Sequence, residues 1–140
     1  MGAGKKVVID TNIFISGFGW DAKPEEILKL LKQRRIINYT SIEIIEELRR
    51  VVSYPKLKFS DLLQSRIIEF VFFYSEIAVP AERISHITKD SEDNKFLECA
   101  LAAGAEFIIS GDQHLLDIAE YKTVKIVDAA AFLDMVLKSH

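Results

Sequence analysis

The stretch KKVVIDTN (residues 5–12) decides how this chain is read. Val7, Val8 and Ile9 form a continuous apolar run, the pattern of a strand buried on both faces of a parallel sheet. The run passes without a spacer into Asp10, Thr11 and Asn12. An acid, a hydroxyl and an amide directly after a buried strand have two readings. They form a turn or helix cap, where these residue types are favoured, or they form one wall of a metal site.

Working outward, strands alternate with helices. A first strand is expected over Lys6–Ile9, a short helix near Ile13–Gly17, and a loop over 17–23. Pro24 opens a second helix over 24–34, where proline suits the first turn, and residues 35–39 read as a short apolar strand. Thr40 and Glu43 are spaced as a capping box for a helix over 41–52, and Pro55 stops that helix within a loop over 53–59. Ser60 can cap a helix over 61–73; a strand follows over 76–80, then a loop over 84–90. A helix over 91–103 ends at Gly104, a residue type suited to the left-handed position after a helix. A buried strand over 106–110, a short helix over 114–120, a final edge strand over 125–127 and a closing helix over 128–138 complete the chain. This alternation predicts an α/β fold: a three-layer α/β/α sandwich with a mainly parallel central sheet. In such sheets ligands gather beyond the carboxyl ends of the strands.

Bulk properties agree. At 140 residues, 49% hydrophobic and 28% charged, residues 1–140 fit one globular domain, with residues 1–4 read as disordered or as an expression scar. The longest apolar run, 70–79, is far too short to span a membrane and carries Glu76. The N-terminus has no signal-peptide stretch, so a cytoplasmic protein is expected. The single Cys99 excludes an internal disulfide and reads as an inert core thiol. A net charge of −3 gives no global basic field for nucleic acid.

Four acids do not behave like surface acids. Asp10 and Asp112 each lie just past a buried strand, Asp112 after Ser110 and Gly111. Asp93 precedes Phe96, Leu97, Ala100 and Leu101 at same-face helical offsets, so it heads a stripe that faces the core. Asp90 is the better candidate to cap that helix. In the helix over 41–52, Glu47 lies at the rim of the apolar face, whereas Glu46 lies farther out and can pair with Arg50 four residues on. The alternative for Glu47, a surface acid paired with Arg50, stays open on wheel geometry alone. Two like charges about 4 Å apart cost on the order of 4 kcal/mol at an effective dielectric of 20. A cluster of four acids therefore takes up protons or holds a divalent cation. Carboxylates without clustered His or Cys favour Mg²⁺ or Mn²⁺ over zinc. His86, His114 and His140 show no metal-ligand spacing, and His114 reads as a surface residue of a short helix.

The stretches VVIDTNIFIS, SIEIIEELRRVV and DSEDNKFLECALAAGAEFIISGDQHLL together resemble the PIN-domain nucleases, closest to the toxins of prokaryotic toxin–antitoxin pairs. The likeness spans about Lys5 to Leu137. The family pattern is a strand ending in Asp-x-Asn, a helical Glu, an Asp opening a later helix, and Ser/Thr-x-Asp after a strand. Asp10, Asn12, Glu47, Asp93, Ser110 and Asp112 match it one by one. The resemblance implies metal-dependent cleavage of RNA, a homodimer and a cognate antitoxin protein. Asp10, Glu47, Asp93 and Asp112 would then be the catalytic, metal-holding set. Asn12 and Ser110 would orient them, with ordinary turn capping as the alternative.

Contacts to RNA need positive or stacking groups. Lys56 and Lys58, in the loop after the Glu47 helix, are better placed than residues 32–35 or Arg49 and Arg50, each of which reads more readily as a solvated face. Phe18 and Trp20 can stack on an unpaired base or pack beneath their loop. A dehalogenase-type phosphatase needs a second acid where Asn12 stands, and no phosphate-binding P-loop or nucleophile elbow occurs. The rival from another class is a non-catalytic module of the same fold that binds RNA or protein. Intact acids favour the enzyme, because a pure binder gains nothing from clustered repulsion.

Overall fold

A computed structural model describes residues 4–84 and 91–138 of the chain. Expectations for residues 1–3, for 85–90 with His86 and Asp90, and for His140 lie outside the described residues. Six strands, β1 (Lys5–Ile9), β2 (Ile36–Thr40), β3 (Ser75–Ile77), β4 (Phe107–Ile109), β5 (Glu120–Tyr121) and β6 (Val124–Val127), form one sheet in the order β3-β2-β1-β4-β6-β5. Every neighbouring pair is parallel except β5 with β6. The helices are α1 (Thr11–Gly19), α2 (Ala22–Lys32), α3 (Ile42–Val52), α4 (Asp61–Tyr74), α5 (Asn94–Ala103), α6 (Gln113–Ile118) and α7 (Ala129–Lys138).

The strand period of two divides the core. Val7 and Ile9 pack with Ile27, Leu31, Ile67 and Phe132, whereas Val8 packs with Phe96, Leu97 and Leu115. The sheet is thus flanked by helices on both faces, as the uninterrupted apolar strands predict. Helix α3 feeds both cores, with Leu48 and Val52 in the first and Ile44 in the second. Cys99 is fully buried in the second core, and burial pushes its thiol up to about 12. Among the described residues no helix is long and apolar enough to cross a membrane.

Topology positions the site. From β1 the chain goes to β2 on one side, and β4 pairs with β1 on the other. The carboxyl ends of β1 and β4 therefore flank the switch point of the sheet, where a crevice opens.

Several elements depart from expectation. The cap of α3 is Ser41, whose Oγ accepts from the Ile44 N–H at 3.3 Å, while Thr40 is the last, buried residue of β2. The helix starts one residue later than the Thr40–Glu43 spacing requires, and Glu43 pairs with Arg83 instead. Helix α1 starts at Thr11 and α2 at Ala22, so Pro24 is third in its helix, still within the first turn that tolerates proline. The loop after α3 contains a single 3₁₀ turn over Pro55–Leu57. Strand β3 begins at Ser75, and the expected strand to Pro80 ends at Ile77. Residues 91–93 form a 3₁₀ turn before α5. The strand at 125–127 is not an edge: β6 lies between β4 and β5. Two-residue β5 is too short to show a periodic pattern. Gly104, at φ 67°, closes α5 in the expected left-handed conformation.

Candidate metal centre

Parallel register builds the first half of the site. Ile9 pairs with Ile109, so the residues that follow, Asp10 and Ser110, stand side by side. The Ser110 hydroxyl donates to Asp10 Oδ2 at 2.7 Å and accepts from the Asp112 N–H at 2.9 Å. One fully buried hydroxyl thus ties two acids together. Asp10 also caps α1, its Oδ1 accepting from the Asn12 N–H at 3.3 Å. Asp112 caps α6, accepting from the His114 N–H at 2.9 Å. The capping and site readings of these acids are therefore compatible, because a carboxylate has acceptor positions to spare.

Asp10 is 3% exposed, and burial pushes its carboxyl up to about 6; hydrogen bonds from Ser110 and Asn12 work against that, and the charges of Glu47 and Asp112 add to it. It lies on a cleft of about 600 Å³ that Asn12, Trp20, Glu47, Lys56, Asp93 and Asp112 also line. The four acids come from the junction of β1 and α1, from α3, from the turn before α5 and from the segment after β4. Asp93 is buried at the head of α5 and its side chain does not cap that helix. Carboxylate oxygens of Asp93 and Asp112 and a ring nitrogen of His114 lie within 4.8 Å of one another.

Glu47 meets a lysine. Lys95 Nζ lies 2.6 Å from Glu47 Oε1, and also donates to the Glu92 backbone oxygen at 2.7 Å and to Glu92 Oε1 at 3.1 Å. Burial disfavours this ammonium, but Glu47 and Glu92 outweigh that and hold it above the usual lysine range. Arg50 reaches Glu92 at 3.9 Å, where the sequence suggested Glu46.

The sequence candidates for substrate contact divide. Lys56 lines the cleft and Trp20, 65% exposed, stands at its lip with its ring tilted against Phe59. Lys58 is not among the residues that line the cleft; it closes the 3₁₀ turn with a left-handed backbone, φ 56°. Phe18 packs edge-on against Phe70 in the first core. Arg34 sits over the rings of Phe73 and Tyr74, neither of which lines the cleft.

Residues 6–114 match the family model described as PIN domain. The chain belongs to the PIN-domain family. It is 35% identical over 125 residues to the uncharacterized protein MJ1680 of Methanocaldococcus jannaschii, spanning 86% of this chain and 80% of that one. The crystal structure of PAE2754 from Pyrobaculum aerophilum superposes with a TM-score of 0.64 at 14% identity, covering 97% of this chain and 91% of that one, which shows a shared fold. The PIN fold is a nuclease-type fold, and PIN nucleases typically work with divalent metals.

The residues of this PIN domain fit such a metal. Its cleft gathers hard oxygen donors, with Asp10 crowded by Glu47 and Asp112, and a dication would offset that repulsion. One residue near the acids escapes the sequence reading, and another is weighed there and reads as a surface residue. Lys95 lies off the apolar stripe of α5, so no pattern marks it. His114, which closely follows Asp112 in sequence and reads as a surface residue of a short helix, is exposed as expected, and its ring nitrogen lies close to carboxylate oxygens of Asp93 and Asp112.

Proposed function

We propose that this PIN domain is a metal-dependent endoribonuclease that hydrolyses phosphodiester bonds of RNA with Mg²⁺ or Mn²⁺. The observation that carries this reading is the convergence of Asp10, Glu47, Asp93 and Asp112, from four separate elements, on one cleft at the sheet's switch point. Asp10, Asp93 and Asp112 would hold the cation. Bound there, it supplies a water of lowered pKa and offsets charge on the phosphoryl oxygens. Glu47, held by Lys95, is positioned to hold the attacking water and take its proton. Ser110 keeps Asp10 and Asp112 in fixed orientation, and Asn12 lines the cleft beside them. Lys56 and Arg50 offer positive charge to the RNA backbone, and Trp20 offers a ring for an unpaired base.

The resemblance to toxin-type PIN domains supports a toxin of a toxin–antitoxin pair: a homodimer in the cytoplasm, restrained by a cognate antitoxin. Sedimentation tests the dimer, and growth on expressing the chain with and without the product of the adjacent gene tests the antitoxin.

The nuclease test is direct. Labelled single-stranded RNA is incubated with wild type and Asp10→Asn in EDTA, Mg²⁺ and Mn²⁺, and melting is followed in the same buffers. Cleavage only in metal, lost in Asp10→Asn, together with a melting point raised by metal, is expected. A melting point indifferent to metal, with Asp10→Asn cleaving like wild type, sinks the metal-dependent enzyme; no cleavage by either protein leaves a binding module of the same fold.

A further inference from the structure

We infer that His114 supplies a nitrogen ligand to the cation held by Asp93 and Asp112, and that this donor biases the centre toward transition-metal dications over Mg²⁺. The inference rests on the metal-dependent reading above and names a ligand that reading lacks.

Three observations carry it. The ring nitrogen of His114 lies within 4.8 Å of carboxylate oxygens of both Asp93 and Asp112. An ion about 2.1 Å from each donor accommodates opposed donors about 4.2 Å apart, so small side-chain adjustments close the set. The backbone also holds the three residues in register. Leu115 is fully buried in the same core that holds Phe96 and Leu97, so the start of α6 and the start of α5, where Asp93 stands, are anchored in one core. Finally, the cap of α6 draws the His114 N–H to Asp112 Oδ1 at 2.9 Å, holding the two residues in one tight turn.

The chemistry follows from donor type. Carboxylate and water suit Mg²⁺ and Mn²⁺, whereas imidazole suits the later first-row metals, and affinity for a nitrogen-bearing site rises along that series from Mn²⁺. A centre with one imidazole among its carboxylates discriminates against Mg²⁺ more than an all-oxygen centre does. His114 is exposed, and the capping bond comes from its backbone, so replacing the side chain removes the nitrogen without removing the cap.

The test uses the metal-stripped chain of residues 1–140, with His114→Ala and His114→Asn alongside wild type. Mn²⁺ binding is titrated by electron paramagnetic resonance, nitrogen coupling to bound Mn²⁺ is read by electron spin-echo modulation, and Mg²⁺ is measured by competition. Wild type shows nitrogen coupling, and both variants lose it. Removing an outer partner of a metal ligand already costs about 10–100-fold in affinity, so both variants bind Mn²⁺ at least about tenfold more weakly, with a smaller loss for Mg²⁺. Bound Mn²⁺ without nitrogen coupling in wild type, or coupling that persists in both variants, overturns the assignment. RNA cleavage is scored separately. Nitrogen coupling in a protein that cuts no RNA upholds His114 and sinks the nuclease reading; cleavage by a centre without the coupling does the reverse. A protein that binds no Mn²⁺ overturns both.

Discussion

The ammonium of Lys95 sits 2.6 Å from the Glu47 carboxylate in a pair that is largely withdrawn from water, with side-chain exposures of 8% and 16%. Breaking one side of such a pair leaves an uncompensated charge, whereas removing both sides costs little. Lys95→Met should therefore destabilise the metal-free protein by about 2 kcal/mol, discounted from the fully buried case because Glu47 keeps some solvent contact. The double variant Lys95→Met/Glu47→Gln should recover most of that loss. Urea unfolding of the two singles and the double measures the coupling, and strict additivity would show the pair to be incidental.

The pH profile of the metal-free protein tests Asp10. Folded Asp10 keeps its proton up to about 6, while the ordinary value is 3.8. Between those values the folded state binds more protons than the unfolded one, so stability is lost as pH rises through that window. The expected loss is on the order of 3 kcal/mol, full stability from this group being present below the lower value. Asp10→Asn flattens the profile, and so does saturating metal. Denaturant midpoints across the acid range, in EDTA, supply the measurement; a stability that climbs from pH 4 to 6 with no Asp10 dependence contradicts it.

Ser110→Ala removes the hydroxyl that joins Asp10 to the Asp112 N–H. Both partners are left short of a hydrogen bond at a fully buried position, which costs about 2 kcal/mol. The same change deprives Asp10 of its strongest support for the ionised form, so the pH window of the preceding test moves upward. A variant with wild-type stability and an unmoved window would show that the bridge carries no energy.

Asp93→Asn separates site from scaffold. Its side chain does not cap α5, and it shares the cleft with three other acids. Without metal, removing its charge relieves repulsion and should stabilise the fold by about 1 kcal/mol, or about 2–4 °C in melting temperature. With Mn²⁺ the rise in melting temperature seen for wild type shrinks. Calorimetric scans with and without the ion check both signs; destabilisation in EDTA would assign Asp93 to local structure.

Local pattern picked out most of the acids that line the cleft. The apolar run ending at Asp10, the stripe headed by Asp93 and the rim position of Glu47 each follow from periods of 2 or 3.6 residues, which report burial within one element. The same patterns misplaced the cap of α3 by one residue, because Thr40 and Ser41 are chemically alike and only the backbone decides which one leaves the strand. They missed β5, whose two residues are shorter than any detectable period.

Amino-acid order alone thus determined the alternation of strands and helices and the two-sided burial of the sheet, and it marked Asp10 and Asp93 as inward-facing, though not the equally buried Glu98. Only the tertiary structure decided who stands next to whom. Ser110 meets Asp10 because the β1–β4 register pairs Ile9 with Ile109, a hundred residues away. Lys95 meets Glu47, and His114 meets Asp93, because separate helices are packed against the same sheet. Periodicity records how each residue relates to solvent; strand order, register and helix docking arise from packing the whole chain, and no single segment encodes them.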